Sequence, residues 1–208
     1  MTVPRAKRTA LAPLVLLLAG GCGPKIPAMV DAADLFLMIL PFRQDYRGPD
    51  GVRNRIAPFD EGNETGRAIA AHAEMIAQSQ VRGVRMLPAG RLRALAGEED
   101  PETWLAGLAP EEARRRLGAD LVCEGAIVEA SLQAPRTLFL NQGHMIANVT
   151  ILDLRTGTVI PRTLEVHYPP QRGGSDMLNA GVPSVEMDKE KVYTGLIRSM
   201  GLEIAGLF

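Results

Sequence analysis

Three histidines are the side chains best suited to acid–base or metal chemistry in this sequence: His72, His144 and His167. His167 follows Glu165 by two residues, so both side chains lie on the polar face of a predicted strand. An imidazole beside a carboxylate can bind a metal ion or transfer a proton. Because exposed strand residues are often polar without any chemical role, metal binding or hydrolysis by Glu165 and His167 is kept as an alternative hypothesis.

The other two histidines have less suggestive surroundings. His72 falls at the border of the apolar stripe of a predicted helix, where a packed and hydrogen-bonded histidine is expected. His144 falls in a predicted loop beside Gly143. None of the motifs His-Glu-x-x-His, Cys-x-x-Cys and Gly-x-Ser-x-Gly occurs in the sequence. We therefore predict a protein that is not an enzyme, with no catalytic residue, no metal site and no cofactor.

Residues 1–21 have the pattern of a secretory signal, with a basic start, an apolar run over residues 10–18 and small residues at 19–21. The apolar run is far shorter than the roughly 18–20 residues that a spanning helix needs. The pattern therefore predicts a signal peptide that is cleaved, and not an N-terminal membrane helix.

Cys22 ends the segment Leu18-Ala19-Gly20-Gly21-Cys22, which resembles the lipobox recognised by the bacterial lipoprotein signal peptidase. We predict cleavage before Cys22 and lipid on its thiol, which would hold the protein to a membrane. Each buried methylene contributes about 0.8 kcal/mol, so several acyl chains anchor stably where one would not. Gly23 stands where an aspartate would retain the protein at the inner membrane, which favours the outer membrane, facing the periplasm.

Cys123 lies within the apolar start of a predicted strand, where a small buried side chain is more common than a reactive thiol. Once Cys22 carries lipid, Cys123 has no second cysteine to pair with, because the chain contains two. No intrachain disulfide is predicted even in an oxidising compartment, so stability must come from packing.

The composition predicts one domain without affinity for nucleic acid. The chain has 208 residues and a formal net charge of −1, and removal of the basic signal leaves the remainder more acidic. Nucleic acids and anionic lipid surfaces attract basic proteins, so neither is expected as a partner. Residues 22–33 are predicted to be a lipidated tether, and residues 34–208 are long enough for one domain with its own core.

Hydrophobic patterning over residues 34–208 predicts an α/β (α+β) fold, in which helices pack against a mixed β-sheet. Two connections are long: Arg43–Asn63 and Pro169–Met187. Loops of this length are usually either functional or disordered, so a docking surface would be sought there first. The predicted order is β-α-β-α-β-β-β-α, with strands at 35–40, 83–87, 121–132, 145–153 and 159–168, helices at 65–80, 110–117 and after Asp188, and broken helical turns at 91–104.

Capping and turn residues mark the ends of these elements. Asn63 or Thr65 is expected to cap the first helix, Gly118 to end the second, and Asp188 to cap the last. Arg155-Thr156-Gly157 predicts a tight hairpin turn, Pro161 predicts an edge position for the last strand, and Gly125 predicts a close approach of a helix to the sheet. The last helix has an apolar stripe that is expected to face the core: Tyr193, Ile197, Met200, Ile204 and Leu207.

Three segments in this order carry a resemblance to a known group of proteins. They are a strand ending in Leu40-Pro41-Phe42, the stretch Leu117-Gly-Ala-Asp-Leu-Val-Cys-Glu-Gly125, and the stretch Asn148-Val-Thr-Ile-Leu-Asp-Leu-Arg-Thr-Gly157, followed by a terminal helix. The pattern resembles the superfamily that contains the curli-secretion lipoprotein CsgG, the penicillin-binding-protein activator LpoB and the N-terminal domain of TolB. The resemblance implies a cell-envelope scaffold that docks on a partner or assembles with itself, without enzymatic activity.

Two features of those relatives are missing from this sequence. The secretion channels carry two long amphipathic hairpins per subunit, whereas Gln133–His144 and Arg43–Asn63 are too short or too polar to supply them. The activators have a long disordered linker between the lipid and the domain, whereas the segment from Cys22 to Asp34 spans about 40 Å at most when fully extended. The leading hypothesis is a membrane-anchored, non-enzymatic interaction or assembly module, and a subunit of a CsgG-like secretion complex is an alternative.

Overall fold

The computed structural model describes residues 34–45, 64–132, 143–169 and 189–208. Signal, lipidation and tether predictions at residues 1–33 lie outside these ranges, as do the cap predicted at Asp188 and most of both long loops. The elements in chain order are β1 (Leu35–Ile39), β2 (Arg43–Gln44), α1 (Glu64–Gln80), β3 (Val84–Leu87), α2 (Gly90–Ala96), α3 (Pro101–Ala106), α4 (Pro110–Leu117), β4 (Leu121–Ser131), β5 (Gly143–Asp153), β6 (Thr158–Tyr168) and α5 (Lys189–Ala205).

The strands form one mixed, six-stranded sheet. Its main order is β3-β1-β4-β5-β6, and the short strand β2 also pairs with β4, beyond the end of β1. Strands β3, β1 and β4 are parallel, while β4, β5 and β6 form an antiparallel meander. This arrangement confirms the predicted single α/β domain with helices packed on a mixed sheet.

Helices α1 and α5 cover one face of the sheet and form the main core with it. Alternation along β5 sends its odd-numbered residues, such as Met145 and Ile151, into that core. Helix α5 buries Ile197, Met200 and Ile204 of the predicted apolar stripe, together with Val192 and Leu196, which the prediction did not include. The other two predicted residues, Tyr193 and Leu207, are half-buried and pack against this core.

The short helices α2, α3 and α4 cover part of the opposite face. They form a second cluster in which Leu92, Leu105 and Leu117 pack on Met38 and Val122 of β1 and β4. Proline begins α4, and Gly118 ends it with a positive φ of 70°, as the sequence suggested. The helical turns predicted over residues 91–104 are present as α2 and α3.

The structure corrects four local predictions. Arg43 and Gln44, expected in a loop, form β2, and β5 begins at Gly143 instead of Met145. Of the two residues expected to cap α1, Thr65 lies inside the helix, where its Oγ1 is 2.9 Å from the Tyr193 hydroxyl, and Asn63 lies outside the described residues. Gly125 was expected where a helix approaches the sheet, but the group against it is the Phe42 ring.

None of the helices within the described ranges is both long enough and apolar enough to cross a membrane.

Candidate functional sites on the open face of the sheet

The two candidate sites lie on the same surface, which we call the open face: the side of β4–β6 that points away from α1 and α5. Along β5 the even-numbered side chains are half-buried or exposed, whereas the odd-numbered ones are buried. The open face carries His144, Ile146, Asn148, Thr150 and Leu152 from β5 and Val159, Pro161, Thr163, Glu165 and His167 from β6.

The first site is a cluster of two histidines and a glutamate at one end of the open face, which we call the histidine cluster. Its members are His144, Glu165 and His167. The Nε2 atoms of His144 and His167 lie 3.0 Å and 3.1 Å from Oε1 of Glu165. The two imidazole rings stack with centroids 4.6 Å apart and planes inclined by 20°. Two nitrogens and one oxygen therefore converge on a small volume.

The register of the β5–β6 hairpin brings these residues together. His144 is the direct partner of His167, and Ile146 is the partner of Glu165, so both histidines point to the same face as the glutamate. The prediction that His144 lies in a loop is therefore wrong. The signal for His144 is the hairpin register, which depends on the length of the turn. Four turn residues, Leu154–Gly157, place His144 opposite His167, whereas the three-residue turn suggested by Arg155-Thr156-Gly157 would place it opposite Tyr168.

The electrostatics of the cluster favour an ionised Glu165. The hydrogen bond with His144 is the main cause that lowers the pKa of Glu165 below its ordinary value. Partial burial acts to raise this pKa, and the hydrogen bond with His167 lowers it further. On the other side of His144, its Nδ1 lies 3.3 Å from Oε1 of Glu129 on β4. His144 thus stands between two carboxylates.

The second site is an apolar cleft of about 490 Å³ at the other end of the open face, between α3–α4 and the strands. Its walls are mostly apolar, and Val159 at its rim is 59% exposed. The sequence prediction did not find this cleft, because its walls come from three separate segments. The lining residues are Glu102, Thr103, Leu105, Ala106, Leu108, Pro110, Ala113, Glu124, Leu152, Asp153, Leu154, Gly157, Thr158 and Val159.

Carboxylates give the cleft an acidic character. Glu102 is bridged by Arg43 at 2.7 Å, and Asp153 is bridged by Arg155. Glu124, which is half-buried on β4, has no such bridge among the described residues. Burial is the main cause that raises the pKa of Glu124, and the charge of Glu102 adds to it, opposed by Arg43. A cationic group in the cleft would therefore lie near the Glu124 carboxylate.

The other residues singled out from the sequence belong to packing. Cys123 is 0% exposed, which confirms a buried hydrophobe. His72 is half-buried on α1, beside Gly201 of α5. Trp104 packs against the second cluster with the Arg116 guanidinium 5.9 Å from its ring, and it does not line the cleft. Cys22 lies outside the described residues.

The fold and these sites define the chain as a single mixed α/β domain with two candidate sites on one sheet face. No protein-family model matches the chain, and no curated protein matches it either.

Several solved structures are similar in fold. The lipoprotein GNA1162 from Neisseria meningitidis is 13% identical with a TM-score of 0.43, over 69% of this chain and 90% of that one. The hypothetical protein CT253 from Chlamydia trachomatis is 17% identical with a TM-score of 0.46, over 84% and 97%. The PelC dodecamer from Paraburkholderia phytofirmans is 15% identical with a TM-score of 0.42, over 90% and 94%. At these scores the likenesses assign neither a family nor a function.

Proposed function

We propose that this chain is a lipid-anchored protein of the bacterial cell envelope that acts by binding another protein, without catalysis. The observation that carries the proposal is the apolar cleft, because concave sites lined mostly by apolar side chains with a few polar groups are where proteins bind other molecules. Val159, which is 59% exposed, lies at its rim. The occupant we propose is an apolar segment of the partner that carries a basic side chain.

The charges of the cleft support that occupant. Glu102, Glu124 and Asp153 all line it, and the first and last are already paired with arginines of this chain. Glu124 remains for an incoming cation, and complementary charges steer association and select partners. An apolar segment would fill the floor while its lysine or arginine approaches Glu124.

The location is part of the same proposal. The lipobox-like segment ending at Cys22 supports lipid attachment, and Gly23 supports the outer membrane with the domain facing the periplasm. The resemblance of the sequence to the CsgG, LpoB and TolB superfamily supports the same class, because its members dock on partners or assemble. The proposal assigns the chain to this superfamily.

Site-specific photo-crosslinking in the native membrane tests the docking surface. A photoreactive amino acid replaces Val159 in one full-length lipoprotein and Met75 in another, since Met75 is 58% exposed but lies on α1, away from the cleft. We expect one discrete heterologous adduct from position 159 and none from position 75. The yield at position 159 should fall in a Glu124→Gln background, because the cation loses its charge partner.

Two results would contradict the proposal. Equal products from both positions, or none from position 159, would show that the cleft is not a docking surface. An adduct with twice the mass of the chain would assign the cleft to self-assembly instead of a separate partner.

A further inference from the structure

The histidine cluster offers a metal ion three ligand atoms without rearrangement of the backbone. One ligand atom from each of His144, Glu165 and His167 lies within 4.8 Å of the other two. In a tetrahedral zinc site with bonds of about 2.0–2.2 Å, neighbouring ligand atoms are roughly 3.3 Å apart. The two nitrogen–oxygen distances, 3.0 Å and 3.1 Å, already match that spacing. Because the Nε2 lone pairs lie in the ring planes, the two stacked rings must rotate about their side-chain torsions for both to point at one ion.

The two histidines approach the glutamate through the same ring atom. Nε2 of His144 and Nε2 of His167 both face Oε1 of Glu165, and the two rings stack with centroids 4.6 Å apart. Without an ion, each contact is a hydrogen bond that an Nε2–H group donates to the carboxylate oxygen. A divalent ion would replace these two hydrogens, held by the two Nε2 lone pairs and by the negative charge of Glu165.

Glu129 supplies the outer-sphere contact that metal-binding histidines usually have. Its Oε1 lies 3.3 Å from Nδ1 of His144, on the opposite side of the ring from Glu165. With an ion bound, donation of a hydrogen bond from Nδ1–H to this carboxylate would fix the tautomer in which Nε2 carries the lone pair. The β4–β5 pairing brings Glu129 beside the hairpin, because it lies opposite Ile146.

We propose that His144 Nε2, His167 Nε2 and a carboxylate oxygen of Glu165 bind one divalent transition-metal ion of the zinc type, with Glu129 oriented on His144 as its outer-sphere partner. Imidazole and carboxylate ligands suit zinc, copper, nickel and cobalt, whereas magnesium and calcium need more oxygen ligands. The side chains of His167 and Glu165 are 35% and 57% exposed. The fourth position of the ion therefore faces solvent and takes water.

This inference rests on the hairpin and not on the cleft, so it holds whether or not a partner docks. The direct test is titration of the full-length lipoprotein, purified in detergent, with Zn²⁺ alone and then with Mg²⁺ alone. We expect one equivalent of Zn²⁺ to bind and no saturable binding of Mg²⁺.

Variants assign the bound ion to the cluster. His144→Ala and His167→Ala should each weaken Zn²⁺ binding by more than about a hundredfold, because losing even an outer-sphere partner costs roughly 10–100-fold. Glu129→Gln should keep one equivalent and weaken binding by about tenfold. His72→Ala is the matched control and should bind as the parent does, because His72 lies on α1.

Chemical protection gives a second readout that needs no variant. Diethyl pyrocarbonate modifies neutral histidine nitrogens, and each product peptide can be measured by mass spectrometry. Saturating Zn²⁺ should protect His144 and His167 while His72 reacts at an unchanged rate. Zn²⁺ binding that survives in both cluster variants, or equal protection of all three histidines, would overturn the proposal and leave the cluster as an ion-pair network.

Discussion

At the turn between β5 and β6, Arg155 donates three hydrogen bonds to the Asp153 carboxylate. Its backbone N and Nε bond Oδ1 at 3.0 Å each, and a terminal nitrogen bonds Oδ2 at 2.8 Å. Burial acts to raise the pKa of Asp153, but the bonds and charge of Arg155 outweigh it and hold the pKa below its ordinary 3.8. The stabilisation is therefore present above that ordinary value and is lost as the pH falls through the lower, folded-state value.

Asp153→Asn should lower the free energy of unfolding at neutral pH by about 3 kcal/mol, because removing one partner of a buried ion pair leaves the other unpaired. Urea denaturation over a pH series measures this loss. The difference in free energy of unfolding between parent and variant should narrow below about pH 4. The control is Glu112→Gln, which breaks the exposed pair with Arg116 and should cost about 0.5 kcal/mol. Equal losses in the two variants would contradict this reading of the turn.

Cys123 should not react with iodoacetamide in the folded protein and should react fully in denaturant. Burial is the main cause that raises the pKa of its thiol well above the ordinary 9.0, and the neighbouring Glu124 carboxylate adds to it. A thiol that is both inaccessible and protonated is a poor nucleophile. The measurement is the mass shift of the Cys123 peptide, and rapid labelling without denaturant would show that β4 is not buried at this position.

At the residue scale, the sequence identified part of the histidine cluster and none of the cleft. Glu165 and His167 were recognised because residues two apart share a strand face. His144 was missed because Gly143 looked like a loop residue. In the structure a side chain at Gly143 would meet Leu196 and Val192 of α5 at 2.6 Å and 2.7 Å, so glycine permits helix packing there. That reason is tertiary and cannot be read from local pattern.

At the element scale, Gly125 lets the connection between β1 and β2 cross closely over β4. A Cβ at this position would clash with the Phe42 ring and would lie 2.7 Å from the backbone oxygen of Asn148. The ring can move, but the strand backbone of β5 cannot move without breaking the ladder. Gly125→Ala is therefore an overpacking substitution.

We expect Gly125→Ala to lower the free energy of unfolding by about 2 kcal/mol, within the usual range for overpacking. Thermal and urea denaturation measure the change. Gly90→Ala is the matched control, because a Cβ at Gly90 meets nothing within 4 Å and its φ is not positive. If Gly125→Ala were as stable as Gly90→Ala, the close approach of Phe42 would not constrain the fold.

Elements with strong periodicity were predicted well, and short ones were not. The long strands, the turn at Arg155-Thr156-Gly157 and the terminal helix follow from alternation, turn residues and apolar spacing. Strand β2 was missed because its two residues have no pattern of their own, and it exists through pairing with Ala126 and Ile127. The edge position of β6, suggested by Pro161, is confirmed by the sheet order.

At the scale of the whole molecule, the two sheet faces have separate tasks. One face is buried under α1 and α5 and forms the main core, while the other is partly covered by α2, α3 and α4 and carries both candidate sites on its open part. From His144 to Leu152 along β5 the sites are about 26 Å apart, at 3.3 Å per residue. Side chains so far apart usually act independently. Substitutions in the cleft should therefore leave Zn²⁺ affinity unchanged, and those in the histidine cluster should leave crosslinking at Val159 unchanged.

The predicted lipidation of Cys22 implies that membrane attachment depends on this residue. Cys22→Ser should abolish incorporation of labelled palmitate and release the chain from membranes or leave it as uncleaved precursor, because oxygen in place of sulfur cannot form the thioether.

The chain contains two cysteines, so Cys123→Ala is the matched control. It should keep the label and the membrane fraction, since Cys123 is buried in the core. Label retained in Cys22→Ser, or lost in Cys123→Ala, would contradict attachment at Cys22. Release without loss of the fold, checked by circular dichroism, would show that the domain does not need the membrane to fold.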